Sequence, residues 1–261
     1  MEILLYQIDA FASELFEGNP AAVCPLDEWL PDETMQSIAA ENNLSETAFF
    51  VPKGKGYHIR WFTPACEVDL CGHATLASAY VLFHILGHEK DVIAFDSKSG
   101  ILKVAEKSGW LVMDFPLQTP VPCDIPDEIA AAFDKKPVHC LKAEDYIVVF
   151  ESEDDIASAN PDFGQLEKLD LRGVIITATS TRFDFVSRFF APKYGIPEDP
   201  VTGSAYTQLA PYWASQMTKN RFHARQLSAR GGEVICELVD DRVLISGKAV
   251  KYLEGKIAIK I

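Results

Sequence analysis

The stretch Arg60–Leu86, RWFTPACEVDLCGHATLASAYVLFHIL, constrains the fold more than any other. It passes from an aromatic, strand-like run through a turn into a helix with almost no polar face. Leu76, Tyr80, Phe83 and Leu86 lie on one side of that helix, and Ala77, Val81, Leu82 and Ile85 fill much of the rest. A helix that is apolar nearly all round has to be covered by other elements. Its first backbone N–H groups lack partners within the helix, and Gly72-His73-Ala74 places a glycine where something can approach them closely. Such a helix start is suited to an anion.

The same design recurs further on. Arg60-Trp61-Phe62-Thr63-Pro64 is followed, eight residues after the proline, by Gly72-His73-Ala74-Thr75. Arg188-Phe189-Phe190-Ala191-Pro192 is followed, eleven after, by Gly203-Ser204-Ala205-Tyr206, and then by a second apolar helix, AYTQLAPYWASQM. A repeated unit of aromatic strand, proline loop, small-residue turn and buried helix points to two related half-molecules.

With 261 residues, 48% of them hydrophobic, the chain can bury one large core or two of ordinary size, and the repeat favours two. The net charge of -14 leaves no basic stripe for phosphates, so nucleic acid and anionic membranes are excluded as expected partners. A small anionic substrate remains compatible, held by helix N-termini instead of Lys and Arg. The start, MEILLYQIDAF, lacks a basic leader region, and no apolar run approaches a membrane span, so a soluble, cytoplasmic protein is expected. Six scattered cysteines without scaffold spacing are expected to stay reduced.

Taken in order, residues 2–8 read as a strand, Glu17-Gly18-Asn19-Pro20 as a turn, and 33–41 as a helix capped by Asp32 and ended by Asn42-Asn43. Ser45–Val51 follows as a strand with Glu46, Ala48 and Phe50 on one face. Strands at 92–96, 101–106 and 110–115 give antiparallel hairpins, and the proline-rich segment 116–126 reads as the crossing between halves. The second half carries a helix at 126–133, strands at 146–150, 174–178 and 182–190, and two short solvated helices within 151–170. Further strands are expected at 226–236, 237–246 and 256–261. The pattern is a strand-rich α+β chain with one buried helix per half.

The segments GNPAAV (18–23), NLSETAF (43–49), RWFTPACEVDLCGHATLA (60–77), DPVTGSAYTQLAPYW (199–213) and QLSARGGEV (226–234) together resemble the phenazine-biosynthesis PhzF-like isomerases, over nearly the whole chain and in the family's order. The resemblance implies the diaminopimelate-epimerase fold: two pseudo-symmetric domains, each an antiparallel β-barrel around a central helix, with the active site in the cleft between them. The expected domains are 1–116, completed by a C-terminal strand at 253–261, and 117–252. The resemblance also implies that Glu46, the acid of the SET motif, moves a proton on a small, cyclic amino-acid or carboxylate substrate, anionic or zwitterionic. The resemblance further places His73 of GHAT and Asp199 of DPVTGS beside it as catalytic residues, with Gly72, Gly203 and Ser204 offering contacts to the substrate. No metal or organic cofactor is expected, and a homodimer is. A Glu behind apolar walls is expected to have a raised pKa, suited to both taking and returning a proton.

Other readings stay open on the residues themselves. Cys71, just before the first glycine turn, sits where two-thiol amino-acid epimerases keep one cysteine, but Asp199-Pro200-Val201-Thr202-Gly203 offers no second thiol. Cys66, Cys71 and His73 are conceivable metal ligands, although the second half supplies no matching cluster. Ser204 lacks the G-x-S-x-G surroundings of a nucleophile. A small-molecule binding protein that keeps the site without its chemistry is the remaining alternative.

Overall fold

The computed structural model describes residues 1–259, so the last two residues of the strand expected at 256–261 lie outside the described residues. The chain divides into two compact units, Met1–Asp114 with the segment from Ser246 onward, and Phe115–Ile245. No helix among the described residues is long and apolar enough to cross a membrane.

The first unit contains β1 (Glu2–Ala10), β2 (Asn19–Pro25), α1 (Asp32–Asn42), β3 (Glu46–Lys53), β4 (Gly56–Phe62), β5 (Glu67–Val68), α2 (Gly72–His84), β6 (Val92–Ser97), β7 (Gly100–Lys107) and β8 (Trp110–Pro116). The second contains β9 (Val121–Pro122), α3 (Asp127–Ala132), β10 (His139–Lys142), β11 (Tyr146–Val149), α4 (Glu153–Ala157), α5 (Phe163–Leu166), β12 (Val174–Thr179), β13 (Phe185–Ala191), β14 (Ile196–Asp199), α6 (Tyr206–Met217), β15 (Arg221–Gln226), β16 (Gly232–Val239) and β17 (Arg242–Gly247). The last strand, β18 (Ala249–Ala258), returns to the first unit and pairs antiparallel with β1 from Glu2↔Ala258 to Ala10↔Ala249.

Antiparallel pairs dominate, but among the described residues each unit also has two parallel pairs, each requiring a crossover. In the first unit α1 lies between parallel β2 and β3, and α2 between parallel β4 and β6. In the second, α4 and α5 lie between parallel β11 and β12, and α6 between parallel β13 and β15. The two units therefore repeat the same order of connections, which deepens the duplication legible in the sequence.

A pair of ion clamps repeats too. On β4, the Arg60 guanidinium bonds both carboxylate oxygens of Glu67 at 2.7 and 2.9 Å and lies 5.1 Å from the Phe62 ring centre. On β13, Arg188 bonds both oxygens of Glu198 at 2.6 and 3.0 Å and lies 5.1 Å from the Phe190 ring centre. Each arginine so fixes the short strand that leads toward the next glycine turn, through a planar fork that a lysine could not reproduce.

Residues from His73 to Ala79, with Val81 and Leu82, are buried on α2, which lies against β1, β2, β3 and β18. Its buried hydroxyls bond backward along the helix, Thr75 to the Cys71 carbonyl at 2.6 Å and Ser78 to the Ala74 carbonyl at 2.7 Å, so neither is stranded in an apolar setting. In α6, Pro211 has no N–H to give the Thr207 carbonyl four residues back. That carbonyl accepts from the Gln118 backbone N–H instead, at 3.2 Å, which is how a buried helix tolerates an internal proline.

Several local expectations are corrected. Asp32 is not a cap: Pro31 takes that position, no side chain caps the helix, and the Asp32 carboxylate accepts from Arg60 at 2.8 Å. The strand expected at 226–236 is two strands, β15 and β16, separated by a turn. There Gly231 takes a positive φ of 66° and donates to Ser228 Oγ at 3.0 Å. The stretch expected as a strand at 237–246 is the end of β16, a turn, and β17. The strand expected from Arg182 starts only at Phe185, because Ser180 Oγ accepts from the Arg182 and Phe183 amides, each at 3.1 Å, and closes a turn. Strand β10 has no counterpart among the elements expected from the sequence.

Candidate active site

Glu46 is the first residue of β3, and Asn43 in the left-handed conformation ends α1 just before it. The helix therefore stops short and presents Glu46 at the mouth of a strand whose next residues are fully buried. His73 is the second residue of α2. The two meet: His73 Nε2 lies 3.1 Å from Glu46 Oε2, and both side chains are nearly enclosed. Cys71 completes the cluster, its sulfur 3.6 Å from His73 Nδ1, so the imidazole stands between a carboxylate and a thiol.

Enclosure and close contact push the three groups in definite directions. Burial favours a neutral Glu46, but the opposing charge of His73 beside it, with a smaller contribution from Cys71, outweighs it and holds the carboxyl below its ordinary value. The raised pKa expected for Glu46 is therefore reversed, because its walls are not wholly apolar. Burial likewise works to lower His73, yet the anionic Glu46 beside it, helped by a contact with the Cys71 sulfur, overcomes burial and raises the imidazole well above its usual value. Burial, then Glu46, pushes the Cys71 thiol up to about 11, so at neutral pH it is uncharged and Glu46 is the counter-ion of His73. The resting cluster is an ion pair beside a neutral thiol.

Glu46, Cys71 and His73 each offer one ligand atom within 4.8 Å of the others, a set able to take a soft divalent cation. Cys66, the third ligand considered from sequence, is instead exposed and makes local contacts with Thr63. Gly72 opens α2 directly, after a Cys71 in extended conformation, and no side chain caps the helix. Of the first-turn amides, Thr75 N–H bonds the Cys71 carbonyl at 3.2 Å, and Gly72 and His73 stand at the helix end that the sequence reads as suited to an anion.

The second unit builds the corresponding turn with different residues. Asp199 ends β14, and its carboxylate accepts from Thr202 Oγ1. Gly203 starts a short 3-10 turn, Gly203–Ala205, that runs into α6. Gln226 braces the loop twice, accepting from the Thr202 amide at 2.9 Å and donating to the Asp199 carbonyl at 2.7 Å. Ser228 Oγ donates to the Pro200 carbonyl at 2.7 Å. The QLSARGGEV segment is therefore the scaffold of the DPVTGS turn.

Ser204 belongs to a network the sequence did not disclose. Its hydroxyl accepts from Arg172 Nη2 at 3.1 Å. Arg172 bonds both oxygens of the fully buried Asp145 at 2.9 and 2.6 Å, and Gln208 of α6 donates to Asp145 at 2.7 Å. Asp145 returns its own amide to Gln208 at 3.0 Å. An acid directly before the apolar run YIVVF was the available sign of a buried carboxylate, whereas nothing in the sequence marked Arg172 as its partner.

The arrangement is a carboxylate–imidazole pair at one glycine turn and a braced hydroxyl and carboxylate at its counterpart. A family model described as phenazine biosynthesis-like protein (PhzC-PhzF) matches residues 8–255. An isomerase of Pseudomonas aeruginosa is 53% identical over 98% of this chain and 99% of its own length. A crystal structure of a PhzF-family phenazine biosynthesis protein from Enterococcus faecalis is 46% identical, covers 99% of this chain and all of its own, and superposes with a TM-score of 0.98. A predicted epimerase of Pseudomonas aeruginosa, 20% identical with a TM-score of 0.78 over 99% of this chain and all of its own, shares the fold.

The chain belongs to the phenazine biosynthesis-like PhzC-PhzF family. Its α+β architecture is that of this family and of epimerase-like folds more broadly.

Proposed function

We propose that the protein is a cofactor-independent isomerase that moves a proton on a small carboxylate or amino-acid substrate, with Glu46 as the acid/base. The observation that carries this reading is the buried ion pair at 3.1 Å between Glu46 and His73. Because Glu46 is ionised while shielded from water, it is a base ready to take a proton from carbon and, once protonated, an acid able to return it elsewhere on the same molecule. His73 supplies the positive charge that offsets the anion developing as the proton leaves, and the open N-terminus of α2 supplies amides for a substrate carboxylate. The isomerase name of the Pseudomonas relative supports the reaction class.

The proposal extends to Asp199, Gly203 and Ser204 as groups that hold the same substrate. A screen of cyclic and linear amino acids for isomerisation and solvent deuterium exchange tests it. A single base returns part of the abstracted label to product, so a substrate deuterated at the reacting carbon keeps some deuterium. Complete washout in every active substrate would refute the single-base mechanism.

One observation favours a second reading. Cys71 is in the cluster, close to His73 Nδ1. A thiol-dependent epimerase would use it as one of two bases, and its loss would then abolish turnover.

A further inference from the structure

Away from the acid/base cluster, the second unit holds two cysteines opposite each other, Cys140 on β10 and Cys123 one residue past the end of β9. Strands β9 and β10 pair antiparallel as Leu141↔Pro122 and Lys142↔Val121, so the next rung places Cys140 opposite Cys123. The Cys123 amide continues the ladder, donating to the Cys140 carbonyl at 3.0 Å. Opposed residues of an antiparallel pair have Cα atoms about 4.5 to 5.5 Å apart, inside the range of about 4.4 to 6.8 Å that a disulfide spans. The side chains are already turned toward each other, with sulfurs 3.6 Å apart. The remaining approach is within the reach of a side-chain rotation.

The pair is also reachable. A cavity of about 500 Å3 is lined by Cys123, Cys140, His139, Leu141 and, from α6, Tyr212. Cys123 is half-buried and Cys140 buried, so the first faces an incoming oxidant and the second waits behind it. Cys66, the exposed cysteine, has Thr63 beside it, and among the described residues no second sulfur lies against it.

We infer that Cys123 and Cys140 are a built-in dithiol site that closes to an intramolecular disulfide when a hydroperoxide enters the cavity, and reopens with a thiol reductant. In the closing step the Cys123 thiolate attacks one peroxide oxygen and the O–O bond breaks. Cys123 becomes a sulfenic acid and hydroxide leaves. Cys140 then attacks the Cys123 sulfur, the S–O bond breaks, and its thiol proton leaves with the hydroxyl as water. The proton that Cys123 gives up on ionising goes to the departing hydroxide, so two thiols are oxidised by two electrons and one hydrogen peroxide is reduced to two waters. Burial and the hydrogen bond with Cys123 push Cys140 up to about 12, which fits the order in which the sulfurs act. The bond closes a loop of 17 positions around α3, so the disulfide form is the more heat-resistant.

The test treats the full chain, in a Cys66→Ser background, with stoichiometric hydrogen peroxide and maps peptides under non-reducing conditions. The expected result is a linked peptide pair containing Cys123 and Cys140 and lighter by two hydrogens. An upward Tm shift of roughly 5 °C should accompany it and vanish with dithiothreitol. Cys123→Ser and Cys140→Ser should each abolish the link and the shift. Sulfinic or sulfonic acid at Cys123 with Cys140 still free would overturn the inference, as would linkage between different cysteines or no oxidation of this pair. Because the peptide map is read on a chain with both sulfurs intact, the result does not depend on how the serine variants fold.

Discussion

The sharpest test of the site is Glu46→Gln, because it removes a charge while leaving volume nearly unchanged. At the 3.1 Å separation of Glu46 and His73, an effective dielectric of about 20 gives a gross attraction of about 5 kcal/mol. Had His73 to stay charged without its partner, breaking the pair would cost about 3 to 5 kcal/mol of stability. The imidazole has an escape, however: it can release its proton. With Glu46 gone, burial is left to dominate, so the His73 pKa should fall from well above the ordinary imidazole value to below it. The variant should therefore fold, with a neutral His73, and lose turnover by about two to four orders of magnitude, or about 3 to 5 kcal/mol of barrier. Ring-carbon NMR titration of His73, assigned by comparison with His73→Asn, reads the first effect without knowledge of the substrate; the deuterium-exchange screen reads the second. An unchanged His73 titration in Glu46→Gln would refute the electrostatic reading, and unimpaired turnover would refute the catalytic one.

Cys71→Ala should lower turnover far less than Glu46→Gln in the same exchange assay, since its thiol is neutral and only lines the pair. Abolition by Cys71→Ala with an active Glu46→Gln would establish the thiol mechanism. The pair should also shape stability against pH. Glu46, held low, contributes above its unfolded pKa and loses that contribution as pH falls through its folded value. His73, held high, contributes below its unfolded value near 6.5 and loses it as pH rises through its raised folded value. Denaturant unfolding should show a plateau between these limits that Glu46→Gln flattens. Asp145→Ala leaves Arg172 and Gln208 without their shared acceptor and should cost about 3 kcal/mol in denaturant unfolding. Gly247→Ala would put a methyl 2.3 Å from Phe11 and 3.1 Å from Leu76 of α2, and should cost about 1 to 3 kcal/mol in the same assay.

How much of this was legible in the sequence depended on whether the deciding interaction was local. Burial of α2 and α6 followed from residues within each helix, and the end of α1 from Asn43, which adopts the left-handed conformation that asparagine tolerates. The parallel crossovers were less visible. Pairing β4 with β6 across a helix is a decision between segments far apart in the chain, and the hairpin 92–116 reads the same whether or not it occurs. Asp32 shows the limit on the local scale. An acid at a helix start fits a cap by residue type, but Arg60, twenty-eight positions away, takes its carboxylate and Pro31 already sets the backbone. Glu46 shows it for chemistry. Residue types gave a carboxylate among apolar neighbours and so a raised pKa, and only the fold brought His73 close enough to reverse the sign.

The duplication supplies a reason for the difference between the two glycine turns. The Arg60–Glu67 and Arg188–Glu198 clamps have matching geometry, with an aromatic ring under each guanidinium, so the scaffold that aims the turns is the same in both units. The residues set on that scaffold have diverged. The first turn carries Cys71 and His73 against Glu46, an ionised pair suited to moving a proton. The second carries Asp199 and Ser204, the acid bonded by Thr202 and the hydroxyl by Arg172, so both are held in place by neighbours. A group whose hydrogen bonds are already committed is a poor proton carrier and a good fixed contact. Two equivalent bases, as a symmetric racemase needs, would require the second turn to resemble the first in charge as well as in backbone. The retained clamps with dissimilar turns therefore go against two equivalent bases. Arg172→Met tests this: releasing Ser204 should raise KM with little change in kcat, whereas a drop in kcat to the level of Glu46→Gln would place the second turn in the proton transfer itself.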